Sequence, residues 1–389
     1  MRGSFPVEQF KTWSTPFYYY DLELLEHTLS RALMSVSDVS FLIHYALKAN
    51  AHAQILSRVS RANLGADCVS GNEILAALAA GIAPARILFA GVGKADWEIE
   101  LALQHDIACF NVESIPEIQV IGEIAARAGK TARIALRVNP NVNAHTHHYI
   151  TTGLTENKFG IPLSALSAAI DTSLHYPHLS LEGIHAHIGS QIVEFSPFKD
   201  LCRVLNDLQD SMAACGIYLK HINVGGGLGI NYEHPNHHPV ADFEAYFRIF
   251  REHLHLREGQ KLHFELGRSL VAACGTLITK VLYVKEGEQK TFAIVDAAMT
   301  DLLRPALYQA YHRIENITSV STEARVYDVV GPVCESSDLF ARDFPLATTC
   351  RGDLLALRST GAYGEAMASG YNLRALPTSH TSEEIFHHK

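Results

Sequence analysis

No two cysteines in this chain stand at Cys-x-x-Cys spacing. The seven present, at positions 68, 109, 202, 215, 274, 334 and 350, are odd in number and widely spread. That pattern argues against a disulfide framework and against a cysteine-based zinc site, and no metal is expected. Charge is sparse as well: 19% of the 389 residues are Asp, Glu, Lys or Arg, against 48% hydrophobic, the balance of a well-buried globular protein. Positive charge is the scarcer sign. Lys and Arg total 32 against 41 Asp and Glu, a net of −9, which disfavours nucleic acid or an anionic membrane surface as a partner. No apolar run approaches the ~20 residues of a membrane span. Residues 1–4 carry no apolar core of a secretory signal, and a reducing, cytoplasmic setting is expected. The length exceeds one small core and suffices for two domains.

Histidine is plentiful, at 22 residues, with clusters at His145/His147/His148 and His234/His237/His238. Neither cluster has an acidic or cysteine neighbour at metal-ligand spacing, and both read as loop histidines. Between residues 41 and 267, β-rich runs alternate with helical ones. The predicted strands are 41–48, 63–70, 86–92, 107–112, 133–139, 181–189, 221–227 and 262–267. Helices are expected over 72–80, stopped by Gly81, and over 197–215, where Leu201, Leu205, Leu208 and Met212 recur at helical spacing. Eight such alternations predict an α/β fold, a (β/α)8 TIM-like barrel. An open doubly wound sheet would carry a glycine-rich turn after its first strand, and none is there. Beyond residue 271 the runs 276–285, 291–297, 317–321, 325–330 and 353–359 predict a mostly β domain. The tyrosine-rich run 16–21 is expected to join it as a strand, and the polar tail from 377 is expected to fray. The domains are therefore placed at 23–270 for the barrel, and at 271–389 with 1–22 for the β-rich domain.

Reactive residue types gather where the barrel strands end, the catalytic face of such folds. Lys48 closes the first strand in Tyr45-Ala46-Leu47-Lys48-Ala49-Asn50. A desolvated lysine there supplies an amine for Schiff-base chemistry, or it merely snorkels to the rim. His185 and His187 alternate, and so share one face; either stacks on a flat ligand or is a satisfied core histidine. Gly225-Gly226-Gly227-Leu228-Gly229 follows the seventh strand, the usual phosphate position in a barrel. Glu265-Leu266-Gly267-Arg268 ends the eighth, where a carboxylate suits a heterocyclic nitrogen and a guanidinium suits a carboxylate, unless the two form a structural ion pair. A Schiff-base lysine, a stacking ring, a phosphate turn and a carboxylate for a ring nitrogen together describe pyridoxal 5'-phosphate (PLP).

These residues resemble the fold-type III PLP-dependent decarboxylases, most closely the branch acting on meso-2,6-diaminopimelate. The similarity runs from about residue 15 to 372. It is carried by 45–50, by Glu156-Asn157-Lys158-Phe159-Gly160 within 139–161, and by His187-Ile188-Gly189-Ser190-Gln191. Gly225–Gly229, Arg304-Pro305-Ala306-Leu307-Tyr308, Gly331-Pro332-Val333-Cys334-Glu335-Ser336 and Gly361-Ala362-Tyr363 add to it. The family usually has Pro where Leu266 stands. The resemblance implies the alanine racemase/ornithine decarboxylase-like pairing of a barrel with a β domain. It implies Lys48 as the cofactor-linked lysine, His187 stacked on the ring and Glu265 at the ring nitrogen. The phosphate would be held by Gly225, Gly226, Gly227, Gly267 and Tyr363, with Ser190 assisting. Arg268, Arg304 and Tyr308 would bind the remote carboxylate of the substrate and Glu335 its remote ammonium. Cys334 would return a proton after CO2 leaves. The family also implies a homodimer, with Cys334 and Glu335 entering the partner's site. Two arginines and a glutamate match the second amino-acid end of meso-diaminopimelate, so the implied product is L-lysine. Related decarboxylases of carboxynorspermidine, arginine or ornithine, and a non-catalytic PLP-binding homologue, are the alternatives.

Overall fold

The computed structural model describes residues 5–36, 40–142 and 158–388. His145, His147, His148 and most of the 139–161 motif lie outside the described residues. The chain forms two compact units, one of residues 29–229 and 242–267, the other of 1–28, 230–241 and 268–389. The excursion of 230–241 into the second unit has no signature in composition. After the N-terminal strand β1 (Phe17–Tyr20), the first unit is built on β2 (Phe41–Ala46), β3 (Gly65–Cys68), β4 (Ile87–Phe89), β5 (Cys109–Val112), β6 (Ala132–Asn139), β8 (Leu179–His185), β9 (His221–Asn223) and β10 (Lys261–Leu266). All pair in parallel, each to the next, and β10 pairs with β2 to close an eight-stranded barrel. A two-residue strand, β7 (Ile161–Pro162), extends β6.

Alternation along each strand divides the side chains between two environments. Outward, Phe41 and Phe264 pack on the helix Phe243–His253, with Phe264 4.8 Å from Phe247 and 5.1 Å from Phe250, ring centre to ring centre. That aromatic seam explains why the helix holds to the barrel: its Phe243, Tyr246, Phe247 and Phe250 are all buried on one face. Inward, the barrel is polar. Asn111 on β5 donates 2.9 Å to Glu265 on β10, and since those strands are not neighbours the bond must cross the interior. His44, His221 and His263 stack beneath it at 4.8 and 4.7 Å.

Most strands are shorter than predicted. β2 ends at Ala46 and the chain tightens into a 3₁₀ turn, Leu47–Ala49, that carries Lys48. β8 ends at His185, β9 at Asn223 and β10 at Leu266. His187, Gly225–Gly229 and Gly267 therefore sit in the loops just past the strand ends. The predicted helices are Gly71–Ala79, whose Ser70 accepts from the Glu73 N–H at 3.2 Å, and Ser196–Ala214.

The second unit is a sheet in which β13 (Ile314–Asn316), β16 (Leu354–Leu357), β11 (Gly275–Glu286), β12 (Thr291–Val295), β14 (Ala324–Val330) and β15 (Leu339–Ala347) lie in that order. β1 pairs antiparallel with β11, Phe17 opposite Ile278, and parallel with β17 (Thr378–Thr381). Three expectations need correcting. The strand expected at 317–321 is instead β13, a few residues earlier; β15 was not anticipated; and the tail from 377 supplies β17. Phe10, Phe17, Tyr19, Ile278, Leu354 and Ala356 form a buried cluster at this end of the sheet.

Candidate active site

In the barrel unit the side chains converge on Glu265. Its Oε1 accepts from Asn111 Nδ2 at 2.9 Å and from Asn223 Nδ2 at 2.7 Å, and His185 Nε2 lies 3.3 Å from Oε2. Burial opposes a charge there, yet His185, with Lys48 and His187, holds the carboxyl well below the usual carboxylate range. Glu265 thus stays ionised, held by amides and an imidazole. Lys48 Nζ lies 3.0 Å from Oδ2 of Asp67, whose side chain is fully buried. Burial and the neighbouring Glu265 push the Asp67 carboxyl up to about 6, against the pull of Lys48.

His187 Nδ1 accepts from the Gly226 N–H at 3.2 Å, so the proton of the neutral ring is on Nε2. Burial, then Arg137 and Lys48, keep that imidazole well below its ordinary value. The glycine turn tolerates no side chain. A Cβ on Gly226 would lie 2.1 Å from the Glu265 carbonyl oxygen, and one on Gly225 2.6 Å from His187 Nδ1. Gly225 and Gly227 also have φ of 65° and 110°, where a side chain is strained. The Gly225 N–H donates to Asn223 Oδ1 at 2.9 Å, so with Gly226 engaged by His187, both glycines shape the turn. Gly267 passes against the lysine turn, where a Cβ would lie 3.0 Å from that of Ala49. A buried ionised carboxylate, a lysine beside a buried aspartate and a close-packed glycine turn fit a cationic ring with a phosphate tail, which is what PLP presents.

The second unit holds a separate cationic cluster. Arg268 and Arg304 are 6% and 5% exposed. Arg268 Nη1 donates 2.6 Å to the Tyr232 hydroxyl, and its guanidinium carbon lies 4.9 Å from the ring centre of Tyr363. Arg304 opens the short helix Arg304–Tyr308, faces the Tyr232 ring at 5.0 Å, and donates from Nη1 to His312 Nε2 at 2.8 Å. Tyr308 ends that helix half-buried.

The chain matches the family model described as pyridoxal-dependent decarboxylase, pyridoxal binding domain, over residues 23–272. It is 56% identical over 386 residues to the diaminopimelate decarboxylase of Bacteroides thetaiotaomicron, covering 99% of this chain and 100% of that one. To the Neisseria meningitidis enzyme of the same name it is 44% identical over 364 residues, 94% of this chain and 88% of the other. The crystal structure of Helicobacter pylori diaminopimelate decarboxylase complexed with L-lysine superposes with a TM-score of 0.91 at 42% identity, covering 97% and 94% of the two chains. The chain belongs to the diaminopimelate decarboxylase family.

Within this family member, the barrel unit gathers Lys48, His187, Ser190, Gly225, Gly226, Gly227, Glu265 and Gly267 at its strand ends. The second unit gathers Arg268, Arg304 and Tyr363 around Tyr232. Cys334 and Glu335 stand apart from that cluster on an exposed loop, pinned where the Cys334 N–H donates 3.3 Å to Asn372 Oδ1 and the Tyr371 hydroxyl donates 2.7 Å to Glu335. Asp67, Asn111, Asn223, Tyr232 and His312 were not foreseen. The available signal was a polar residue inside an otherwise apolar strand, as with Asp67 in Gly65-Ala66-Asp67-Cys68 and Asn111 in Cys109-Phe110-Asn111-Val112. Such a residue costs burial energy unless a partner awaits it.

Proposed function

We propose that this chain decarboxylates meso-2,6-diaminopimelate at its D-configured centre with PLP, taking up one proton and releasing L-lysine and CO2. The observation that carries the reading is Glu265, a buried carboxylate hydrogen-bonded by Asn111 and Asn223 and kept ionised by His185, with Lys48 and His187. Its role is to hold a proton on the ring nitrogen of the cofactor. When bound, PLP supplies an electron-accepting ring that takes up the electron pair of the broken Cα–carboxylate bond.

The protein's own groups do the rest. Lys48 furnishes the amine that anchors the cofactor, and Asp67 orients its Nζ. His187, fixed in rotation by the Gly226 N–H, would stack on the ring. Gly225, Gly226 and Gly227 shape the turn that would hold the phosphate, with Ser190, Gly267 and Tyr363 assisting. Arg268, Arg304 and Tyr308 grip the remote carboxylate and Glu335 the remote ammonium. That grip would orient the scissile bond for cleavage. Cys334 returns the proton to carbon. Cys334 and Glu335 serve the partner's site in a homodimer, consistent with their exposure on one chain. The enzyme acts in the cytoplasm, a reducing setting in keeping with its free cysteine thiols. Among the described residues no helix is long and apolar enough to cross a membrane.

CO2 release by PLP-loaded protein from meso-diaminopimelate, lysine, ornithine, arginine and carboxynorspermidine tests the reading. Turnover confined to meso-diaminopimelate is expected. Preference for any of the others overturns it.

A further inference from the structure

Two arginines buried side by side repel each other, and a fold keeps them so only when something fixes them or an anion joins them. No carboxylate pairs with Arg304 among the described residues. Burial lowers its guanidinium from the ordinary value, as does Arg268 beside it. Between the two stands Tyr232, 8% exposed. Its hydroxyl oxygen accepts from Arg268 at 2.6 Å, while its ring face lies 5.0 Å from the guanidinium carbon of Arg304.

Behind Arg304 is His312, which meets Tyr232 edge-on at 5.1 Å. His312 Nε2 accepts a hydrogen bond from Arg304 Nη1 at 2.8 Å and Nδ1 lies 2.9 Å from the carbonyl oxygen of Arg358. An arginine only donates, so Nε2 is the acceptor and the ring proton sits on Nδ1, donated to that carbonyl. Burial and Arg304 hold the imidazole neutral, lowered to about 3. Burial by itself would raise the Tyr232 hydroxyl; Arg268 and Arg304 outweigh it and draw the hydroxyl below the ordinary tyrosine value. The hydroxyl is thus a strongly polarised acceptor.

We propose that Tyr232, backed by neutral His312, is a positioning residue that holds Arg268 and Arg304 as a pre-spaced pair. Through that spacing it selects ligands carrying a carboxylate at the remote end over ligands carrying only an ammonium. The inference rests on the substrate reading above and adds to it residues that need not touch the reacting atoms. The energetic logic is preorganisation: both guanidiniums are oriented before the ligand arrives, so their ordering is not charged against binding.

The test uses the PLP-loaded, full-length protein and two probes, L-lysine and 1,5-diaminopentane, which differ by one carboxylate. Tyr232→Phe removes only the acceptor oxygen. By calorimetry it is expected to weaken L-lysine about tenfold, the scale of one hydrogen bond to a charged group, with 1,5-diaminopentane changed less than about twofold on the same scale. KM for meso-diaminopimelate should rise by a similar factor of about ten while kcat falls far less, since a ground-state contact is lost. The visible PLP band should be intact. His312→Gln keeps an acceptor for Arg304 and should retain most L-lysine affinity, whereas His312→Ala should not. Unaltered L-lysine affinity in Tyr232→Phe, or equal weakening of both probes, overturns the proposal. Wild-type protein that turns over meso-diaminopimelate beside a silent Tyr232→Phe overturns the positioning role alone. Failure of the wild type on that substrate overturns the substrate reading and this proposal with it.

Discussion

The three stacked imidazoles under Glu265 make the barrel acid-sensitive, and the size of the effect follows from their burial. Burial brings His221 from 6.5 to about 4, with Glu182 opposing and His44, His185 and Lys220 reinforcing. His44 is likewise lowered to about 4 by burial, against Glu265 and the hydrogen bond to the Arg86 carbonyl. His263, between them, is lowered well below its ordinary value, by burial and then by both neighbours. A histidine whose folded value is depressed binds more protons when unfolded, so stability falls as pH drops below about 6.5 and stops falling below the folded value. For His221, going from pH 7.5 to pH 5.0 costs about 2 kcal/mol, set almost wholly by the unfolded histidine because the folded ring is still neutral at pH 5.0. Asp67, raised to about 6, and Glu73, raised to about 7, both chiefly by burial, work in the opposite direction over the same interval. The measurement is therefore a difference between variants. His221→Gln, which does not titrate, should lose about 2 kcal/mol less than wild type between those two pH values. Urea unfolding followed through Trp97, the barrel unit's only tryptophan, in a Trp13→Phe background reads it. Equal losses in the two proteins would refute the reasoning, whatever the variant's stability at pH 7.5.

Three other outcomes follow from the same geometry. Gly226→Ala should lose the visible absorbance of bound PLP, because its Cβ would fall 2.1 Å from the Glu265 carbonyl oxygen; normal cofactor titration by the variant contradicts the close packing. Asn111→Leu removes one of the two amide hydrogen bonds to the Glu265 carboxylate, a charged bond worth about 1.5–3 kcal/mol. It should lower kcat at least tenfold with KM little moved, and an unchanged kcat means the amides do not set the charge of Glu265. Lys48→Ala and Cys334→Ala should each be nearly inactive, the second still coloured by PLP. Mixing them should restore activity if sites are shared between subunits, and no recovery despite proven subunit exchange counts against sharing.

The barrel was legible because each strand is a short β-rich run separated by a helical one, and because the reactive residues recur just where those runs end. The error lay in where the strands stop. Runs such as 181–189 stay β-like past His185, so nothing local marks the point at which pairing is lost and His187 enters a loop. β15 was hidden for a different reason. Its sequence carries Arg342-Asp343 and then Pro345, a residue that ordinarily demotes a strand, and Asp343 has a φ of 46°. Its long antiparallel pairing with β14, from Ala324 opposite Ala347 to Val330 opposite Leu339, carries it through that irregularity.

The site was legible in proportion to how locally its chemistry is written. Lys48, the glycine turn and Glu265-Leu266-Gly267-Arg268 are motifs, and short spacing exposes them. Asn111 meets Glu265 across 154 positions of sequence and Tyr232 meets Arg268 across 36, so no window contains both partners. What the strands do reveal is a mismatch: barrels of this kind are ordinarily filled by Val, Ile and Leu, yet β2, β3, β5, β8, β9 and β10 turn His44, Asp67, Asn111, His185, Asn223, His263 and Glu265 into buried positions. Burying so many polar groups is tolerable only where they satisfy one another or await a ligand. The aromatic outer seam of Phe41, Phe247 and Phe264 supplies apolar burial that the interior forgoes. The polar interior is thus both the strongest indication of a cofactor in the strands themselves and the reason protonation of its histidines should cost this barrel stability in acid.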